Sequence, residues 1–271
     1  MTKKILLIGA GNMGFAMLKG WMSFEDPPQV TVVDPSQEYQ TRATQVGARA
    51  FAEPLDLDAA QIFDLIVVAV KPHYVTDILG AYKKWISAKT TVVSVAAGVT
   101  INRMAQALPN ETAIIRCMPN TPAAIGQGMM VLCSNTHVQP DAAKLAEKLF
   151  ATSGKVAWVA DETLMDAVTA ISGSGPAYVF HFVECLTQAG IDLGLPEETA
   201  AILAKQTVSG AGQMVAAASE TPTQLRQNVT SPNGTTQAAL EVLMQGRAFE
   251  KLLGQAARAA RDRGVELDQE S

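Results

Sequence analysis

What the chain lacks narrows its reading first. Of 271 residues only three are cysteines, Cys117, Cys133 and Cys185, odd in number and far apart. They form no CxxC pair and no disulfide framework, and each lies in an apolar stretch. All three are therefore expected to be buried, reduced thiols of a cytoplasmic protein. Aromatic residues make up 6%, so the core must lean on Ala, Val, Leu, Ile and Met. Basic residues are in deficit, 21 Lys and Arg against 26 Asp and Glu, and no Lys/Arg run occurs. That balance argues against a general nucleic-acid footprint, which needs a basic face. Long apolar runs are missing too. The segment Ala177–Leu186 is interrupted by His181 and Glu184 and falls short of the ~18 residues of a membrane span. Met1-Thr2-Lys3-Lys4 leads straight into a strand pattern, so no signal peptide is expected. The three histidines, His73, His137 and His181, share no metal-ligand spacing, and neither HExxH nor GxSxG is present. No metal is expected, and His181 reads as a satisfied structural histidine.

What remains is an alternation. Lys4–Ile8, Val30–Val33, Leu65–Val70, Thr91–Val95 and Ala113–Met118 are short β-branched runs that read as buried strands. Helical patterns lie between them at Met13–Met22, Gln37–Val46, Tyr74–Trp85 and Ile101–Ala107. That order predicts βαβ units and a parallel, doubly wound sheet. Val131–Cys133 and Val156–Val159 add two strands around a helix over Pro140–Ala151. After about Asp161 the strands stop, and Glu162–Ile171, Ala177–Leu193, Pro196–Ser219, Pro222–Asn228, Gln237–Leu243 and Phe249–Arg263 all read as helices. The expected organisation is an α/β Rossmann-type domain over residues 1–160 and an all-α domain over 161–271. The helix around Thr199–Ala218 is rich in Ala, Gly and Met with few charges. A helix apolar on nearly all sides needs neighbours on all sides, which points to a second subunit and a homodimer; a compact monomeric bundle is the alternative.

A lone GxGxxG is weak evidence, but here strand Lys4–Ile8 runs into Gly9-Ala10-Gly11-Asn12-Met13-Gly14 and then a helix. In that setting the first glycine makes a tight turn, the second lets backbone approach a pyrophosphate, and the third lets helix pack on strand. The loop therefore reads as a nicotinamide dinucleotide site. Asp34 ends the second strand, twenty residues beyond Gly14. Its carboxylate could accept from adenine-ribose hydroxyls and repel a 2′-phosphate, a lean toward NADH; the bland reading is an Asx-type turn over Asp34-Pro35-Ser36. Ser36 and Arg42 lie close enough to accommodate a phosphate, so NAD(P)H stays open. Ala69-Val70-Lys71-Pro72 sets a cation at the end of the fourth strand, beside the expected crevice.

Three later segments combine Gly, Pro, Ser, Thr and Asn too densely for routine linkers: 116–122, 172–177 and 229–236. The last two are expected to open helices, whose free N–H groups and hydroxyls could receive a small carboxylate. Simple capping by Ser174 and by Thr235 or Thr236 is the bland reading. With no strong acid, base or metal in prospect, the chemistry suits hydride transfer to an already electrophilic carbon.

These residues make the chain resemble the pyrroline-5-carboxylate reductases, the last enzymes of proline biosynthesis. The resemblance rests on GAGNMG at 9–14, AVKP at 69–72, SVAAGVTI at 94–101, RCMPNTPAAIGQGM at 116–129, DAVTAISGSGPAYVF at 166–180 and LRQNVTSPNGTTQAAL at 225–240. One departure is Asn233, where the family usually has glycine; Asn tolerates left-handed backbone better than most residues. The resemblance implies a homodimer whose interlocked helical domains complete each active site. It implies that Δ1-pyrroline-5-carboxylate is held over Ser231–Thr236, with amides near Gly234 and Thr235 on its carboxylate and Thr236 near its ring nitrogen. Glu162, Ser172 and Ser174 would line the same pocket, Asn228 would reach the cofactor, and Val95, Ala96 and Ala97 would pass beside the nicotinamide. Thr236 then either donates a proton or orients the imine while water supplies it.

Two other readings compete. β-Hydroxyacid dehydrogenases share a similar plan but need a lysine on the first helix of the second domain, and residues 161–195 hold no Lys or Arg. A non-catalytic dinucleotide sensor explains residues 9–14 but gives no reason for the Ser, Thr and Gly density at 172–176 and 230–236.

Overall fold

The computed structural model describes residues 2–270, with side chains through Glu266. Its strands are β1 (Lys4–Ile8), β2 (Gln29–Val33), β3 (Arg49–Phe51), β4 (Leu65–Val68), β5 (Thr91–Ser94), β6 (Ala113–Met118), β7 (Gly128–Ser134) and β8 (Gly154–Trp158). They form one sheet in the order β3-β2-β1-β4-β5-β6-β7-β8. Strands β1 to β6 are parallel, and the reversal of order between β2 and β4 on either side of β1 makes the switch point of a doubly wound fold. The last two strands depart from the all-parallel expectation. β7 is antiparallel to β6, which a short connection permits, and β8 is parallel to β7.

Period-two alternation places the core on both faces. Ile5, Leu7, Leu65, Val67, Val93 and Ile115 point to one side, where α1 (Asn12–Met22) and α5 (Pro140–Phe150) cover them with Trp21, Leu149 and Phe150. Leu6, Ile8, Ile66, Val68, Val92 and Ile114 point to the other, under Leu79, Tyr82, Trp85 and Met104 from α3 (Val75–Ala81), the turn after it and α4 (Ile101–Gln106). A strand sealed on both faces must be apolar at every position, which is why these runs read continuously rather than alternating. Helix α2 (Gln37–Gln45) contributes only Ala43 to the buried set.

Some elements differ from expectation. β3 is three residues long and begins on exposed Arg49, so no hydrophobic run announces it. The helix expected over Tyr74–Trp85 is divided into two 3-10 turns around α3, with the Trp85 indole N–H donating to the Asp58 carbonyl at 2.9 Å. The chain forms two compact units, one running to Ser174 and resuming at Ala260, the other Gly175–Ala259. Residues between the composition change near 160 and Ser174 belong to the first unit because Met165, at the start of α6 (Met165–Val168), is sealed against Val131 and Cys133.

The second unit comprises α7 (Gly175–Asp192), α8 (Glu197–Ala217), α9 (Pro222–Asn228), α10 (Thr235–Met244) and the first half of α11 (Ala248–Glu270). Among its described residues, helices α7, α9 and α10 bury none, and α8 buries Ala200 and Ala204. Cys185, expected to be buried, is exposed on α7; Cys117 and Cys133 are buried as expected. His181 is exposed beside it, its Nδ1 paired with Glu184 Oε2 at 2.9 Å. No helix among the described residues is long and apolar enough to cross a membrane.

Candidate active site

At the carboxyl edge of the sheet the glycine loop divides its labour. Gly9 has φ +89°, and a Cβ there would stand 2.6 Å from the Ala69 carbonyl oxygen. A Cβ on Gly14 would collide with the Gly9 carbonyl. Both glycines are thus demanded by the chain itself. Gly11 is not: a Cβ there would meet nothing nearer than Tyr39 at 4.0 Å. It is the N-cap of α1, and no side chain caps that helix. Open space in front of uncapped amides at a helix N-terminus fits a pyrophosphate. Ala10 and Gly14 are buried, Met13 packs on the core, and Asn12 is exposed.

Asp34 is 6% exposed, and both its oxygens are committed. Oδ2 accepts from the Ala10 N–H at 2.7 Å and Oδ1 from the Ser36 N–H at 2.8 Å. The second bond is the Asx-type turn weighed above; the first fastens the glycine loop to β2. Arg42 lies over the Phe15 ring at 4.1 Å and 5.6 Å from the Tyr39 ring centre. Ala69 and Val70 back the loop, and Lys71, exposed, caps the turn Pro72–Tyr74 through its backbone. Val95 and Ala96 are buried in the turn after β5, and Ala97 is half-buried. The cofactor residues expected at 9–14, 34, 36, 69–72 and 95–97 therefore sit on the ends of adjacent strands β2, β1, β4 and β5.

The segment 116–122 has a task the sequence did not disclose. Arg116 stands in β6 with its side chain 4% exposed, Nη1 3.0 Å from Glu162 Oε1 and Nη2 3.7 Å from Asp166 Oδ1. The same Glu162 oxygen accepts the Ile101 N–H at 2.8 Å. Asn120 donates through Nδ2 to the Ser172 carbonyl at 3.1 Å and accepts the Met129 N–H at 2.8 Å. The available signal was an arginine inside the apolar run Ala113–Met118, since charges are almost never buried unpaired. Nearby, Cys133 is pushed up by burial and then by the Glu162 charge, and burial alone pushes Cys117 up. Both thiols stay neutral and unreactive. Among the described residues no group of three His, Cys, Asp or Glu is arranged to hold a metal ion.

The segment 172–177 does open a helix, α7 beginning at Gly175, but the chain enters it through a preceding helical turn. Thr169–Gly173 is a π-helical turn, and the Ser174 N–H donates to the Thr169 carbonyl at 2.8 Å. Single π-turns of this kind recur at functional sites. In the second unit, Asn233 adopts φ +57°, the left-handed backbone expected of a residue standing in for glycine. Gly234 is the N-cap of α10, with no side-chain capping bond, so neither Thr235 nor Thr236 serves as a cap. Thr236 is half-buried, while Ser231, Thr235 and Asn228 are exposed, and Asn228 Oδ1 accepts from Gln224 Nε2 at 2.8 Å.

Residues 162–267 match the family model for pyrroline-5-carboxylate reductase dimerisation, and residues 4–98 match that for NADP oxidoreductase, coenzyme F420-dependent. A pyrroline-5-carboxylate reductase from Pseudomonas aeruginosa is 38% identical over 98% of this chain and 97% of its own. The structure of a pyrroline-5-carboxylate reductase from Coxiella burnetii superposes with a TM-score of 0.92 at 35% identity, covering 98% of this chain and 99% of its own. That of the Plasmodium falciparum enzyme, with NADP bound, gives 0.82 at 30% identity over 98% of each chain. Kinship at that level over the whole length, from the glycine loop to the uncapped turn before α10, settles the family: the chain belongs to the pyrroline-5-carboxylate reductases.

Proposed function

We propose that the protein reduces the imine of Δ1-pyrroline-5-carboxylate to L-proline with NAD(P)H, the final step of proline biosynthesis. The observation that carries this is the near-complete coverage of pyrroline-5-carboxylate reductases at over 30% identity. Geometry adds its support through Gly11, whose open surroundings suit a dinucleotide, and through the bare amides that follow Gly234.

The dinucleotide, when bound, supplies a hydride. Protonation of the imine nitrogen makes C5 electrophilic; one hydride on C5 and one proton on nitrogen convert C=N to CH–NH. The protein's task is mainly to hold donor and acceptor at ~3–3.5 Å. The Gly234 N–H is committed to the Ser231 carbonyl at 3.1 Å, so the amides that follow it, from Thr235, would take the carboxylate, with Ser231, Ser172 and Ser174 beside it and Asn228 toward the cofactor. Thr236 would orient the ring nitrogen or relay its proton. Glu162 enters through its bonds to Arg116 and Ile101 rather than as a contact to substrate.

NADH and NADPH both fit this reading. The Asp34 charge disfavours a 2′-phosphate, whereas Arg42 beside Phe15 offers one a cation. Self-association as a homodimer, or a dimer-based assembly, follows from the exposed apolar helices of the second unit. Free thiols fit the reducing cytoplasm; the partner is a small molecule, with no role for nucleic acid or membrane. Steady-state titrations of NADH and NADPH against pyrroline-5-carboxylate, with proline as the measured product, test the reading. No proline with either cofactor rejects it, and an Asp34→Ala variant with an unchanged cofactor ratio removes Asp34 from the choice.

A further inference from the structure

The segment from Ser94 to Ile101 carries Val95, Ala96 and Ala97, the residues that the family resemblance sets beside the nicotinamide. One end is fixed by β5, whose Ser94 is fully buried and bonded through Oγ to the Ala96 N–H at 3.3 Å. The other end is the first turn of α4, where Thr100 Oγ1 takes the Arg103 N–H at 3.3 Å. The Ile101 N–H is one of the donors that a helix start leaves without an intrahelical partner. Its acceptor is not a neighbour but Glu162, 61 positions away, at 2.8 Å. Glu162 in turn is held by Arg116 at 3.0 Å, a guanidinium with 4% of its side chain exposed and Asp166 on its other nitrogen.

A neutral acceptor would satisfy one backbone N–H. Recruiting a buried guanidinium as well gives the same Glu162 oxygen a second, charged donor, and such charge-assisted bonds are shorter and stronger than neutral ones. We propose that Arg116 is a positioning residue for the reduction, acting through Glu162 to set the backbone of the turn that carries Val95, Ala96 and Ala97. This rests on the reductase reading above. It departs from the expectation that Glu162 lines the substrate pocket.

The test compares Glu162→Gln, which keeps an acceptor for both donors, with Glu162→Ala, which removes it, and Arg116→Met, which removes the cation at similar volume. Displacing the turn by about 1 Å is expected to lower kcat about 10²-fold in Glu162→Ala and Arg116→Met. Dinucleotide affinity by calorimetry should weaken about tenfold, while KM for the imine changes less than about threefold. Glu162→Gln should recover most of both losses. If Glu162→Ala instead raises the imine KM and leaves kcat and dinucleotide affinity alone, Glu162 is a substrate ligand and the proposal fails. It fails equally if melting temperature falls while both kinetic constants and the affinity stay put. Should Arg116→Met not fold, the two Glu162 variants decide. Should the wild-type protein not make proline, the reductase reading falls, and the calorimetric arm still judges the clamp.

Discussion

Trp21, Phe63, Trp85 and Phe150 are sealed inside the sheet unit, whereas Phe180, Phe182, Ile202 and Leu203 stand exposed on α7 and α8 of the helical one. Helices of similar apolar content have met opposite fates. In the first unit a sheet offers two faces, and each helix has somewhere to lay its apolar stripe. In the second, α7 and α8 pack on each other closely enough that a Cβ on Gly190 would touch Ala200 at 3.0 Å, yet nothing within the unit covers their remaining sides. Each fully buried Phe, Leu or Ile is worth ~1.5–3 kcal/mol, and contiguous exposed patches of this kind mark interfaces. The difference teaches that one unit is finished by its own chain, while the other, matching a dimerisation family model, leaves apolar faces open in the single chain.

The largest effect should come from attacking that difference directly. Phe180→Glu and Ile202→Glu alter residues that are 62% and 60% exposed in the single chain. Were they truly solvent-facing, each change would stay within about 0.5 kcal/mol. Under a second subunit, each buries an unpaired charge, and the dimer should weaken by roughly 3–5 kcal/mol. Sedimentation velocity should then show monomer, with activity lost in step. Unaltered sedimentation and melting in both variants would leave the two units equivalent and remove the case for cover.

A second contrast concerns chemistry. If the sheet unit binds the cofactor and the helical unit acts on the imine, Thr236→Ala should lower turnover about 10²-fold while dinucleotide affinity holds within about twofold. Thr236→Ser, which keeps a hydroxyl, should retain most activity. Turnover unchanged in Thr236→Ala would take the reacting end away from α10. The converse variant is Gly11→Ala in the sheet unit. Its Cβ has room, so melting should be unaffected, but a methyl group in the space meant for pyrophosphate should cost about tenfold in dinucleotide affinity. Binding that survives intact would mean the anion sits elsewhere along the loop.

How much of this could be read beforehand follows the same divide. The sheet was legible because strands buried on both faces write themselves as unbroken apolar runs, and the glycine loop because its spacing sits between a strand and a helix. Asn233 was legible too, as a residue tolerant of the backbone it adopts at φ +57°. Cys185 was misjudged because apolar neighbours along α7 imply burial only when some layer lies above them within the chain. The clamps of Arg116 on Glu162 and of Asn120 on Ser172 join residues 46 and 52 positions apart. No local pattern encodes such pairs; only an arginine inside a strand, or an asparagine after it, hints that a partner exists.

The smallest expected effect tests whether the sheet unit holds its own edge as a separate body. Asp64, just before β4, accepts from Lys3 Nζ at 2.9 Å and from the Lys4 N–H at 2.8 Å, tying the start of β1 to that of β4. Burial opposes its charge, but the Lys4 N–H and then Lys3 outweigh it, so its carboxyl ionises below the ordinary value of 3.8. A carboxylate whose folded pKa is depressed adds stability that is complete above the unfolded pKa and is lost as pH falls through the folded one. The group is 35% exposed, so screening should keep the contribution under about 1 kcal/mol. Asp64→Asn should therefore lower the melting temperature slightly near neutral pH, and wild type and variant should converge once pH drops well below 3.8. High salt should narrow the gap as well, because the Lys3 pair is accessible. If thermal unfolding resolves two transitions, only that of the sheet unit should carry this acid sensitivity; equal shifts in both would mean that the two units do not melt as separate bodies.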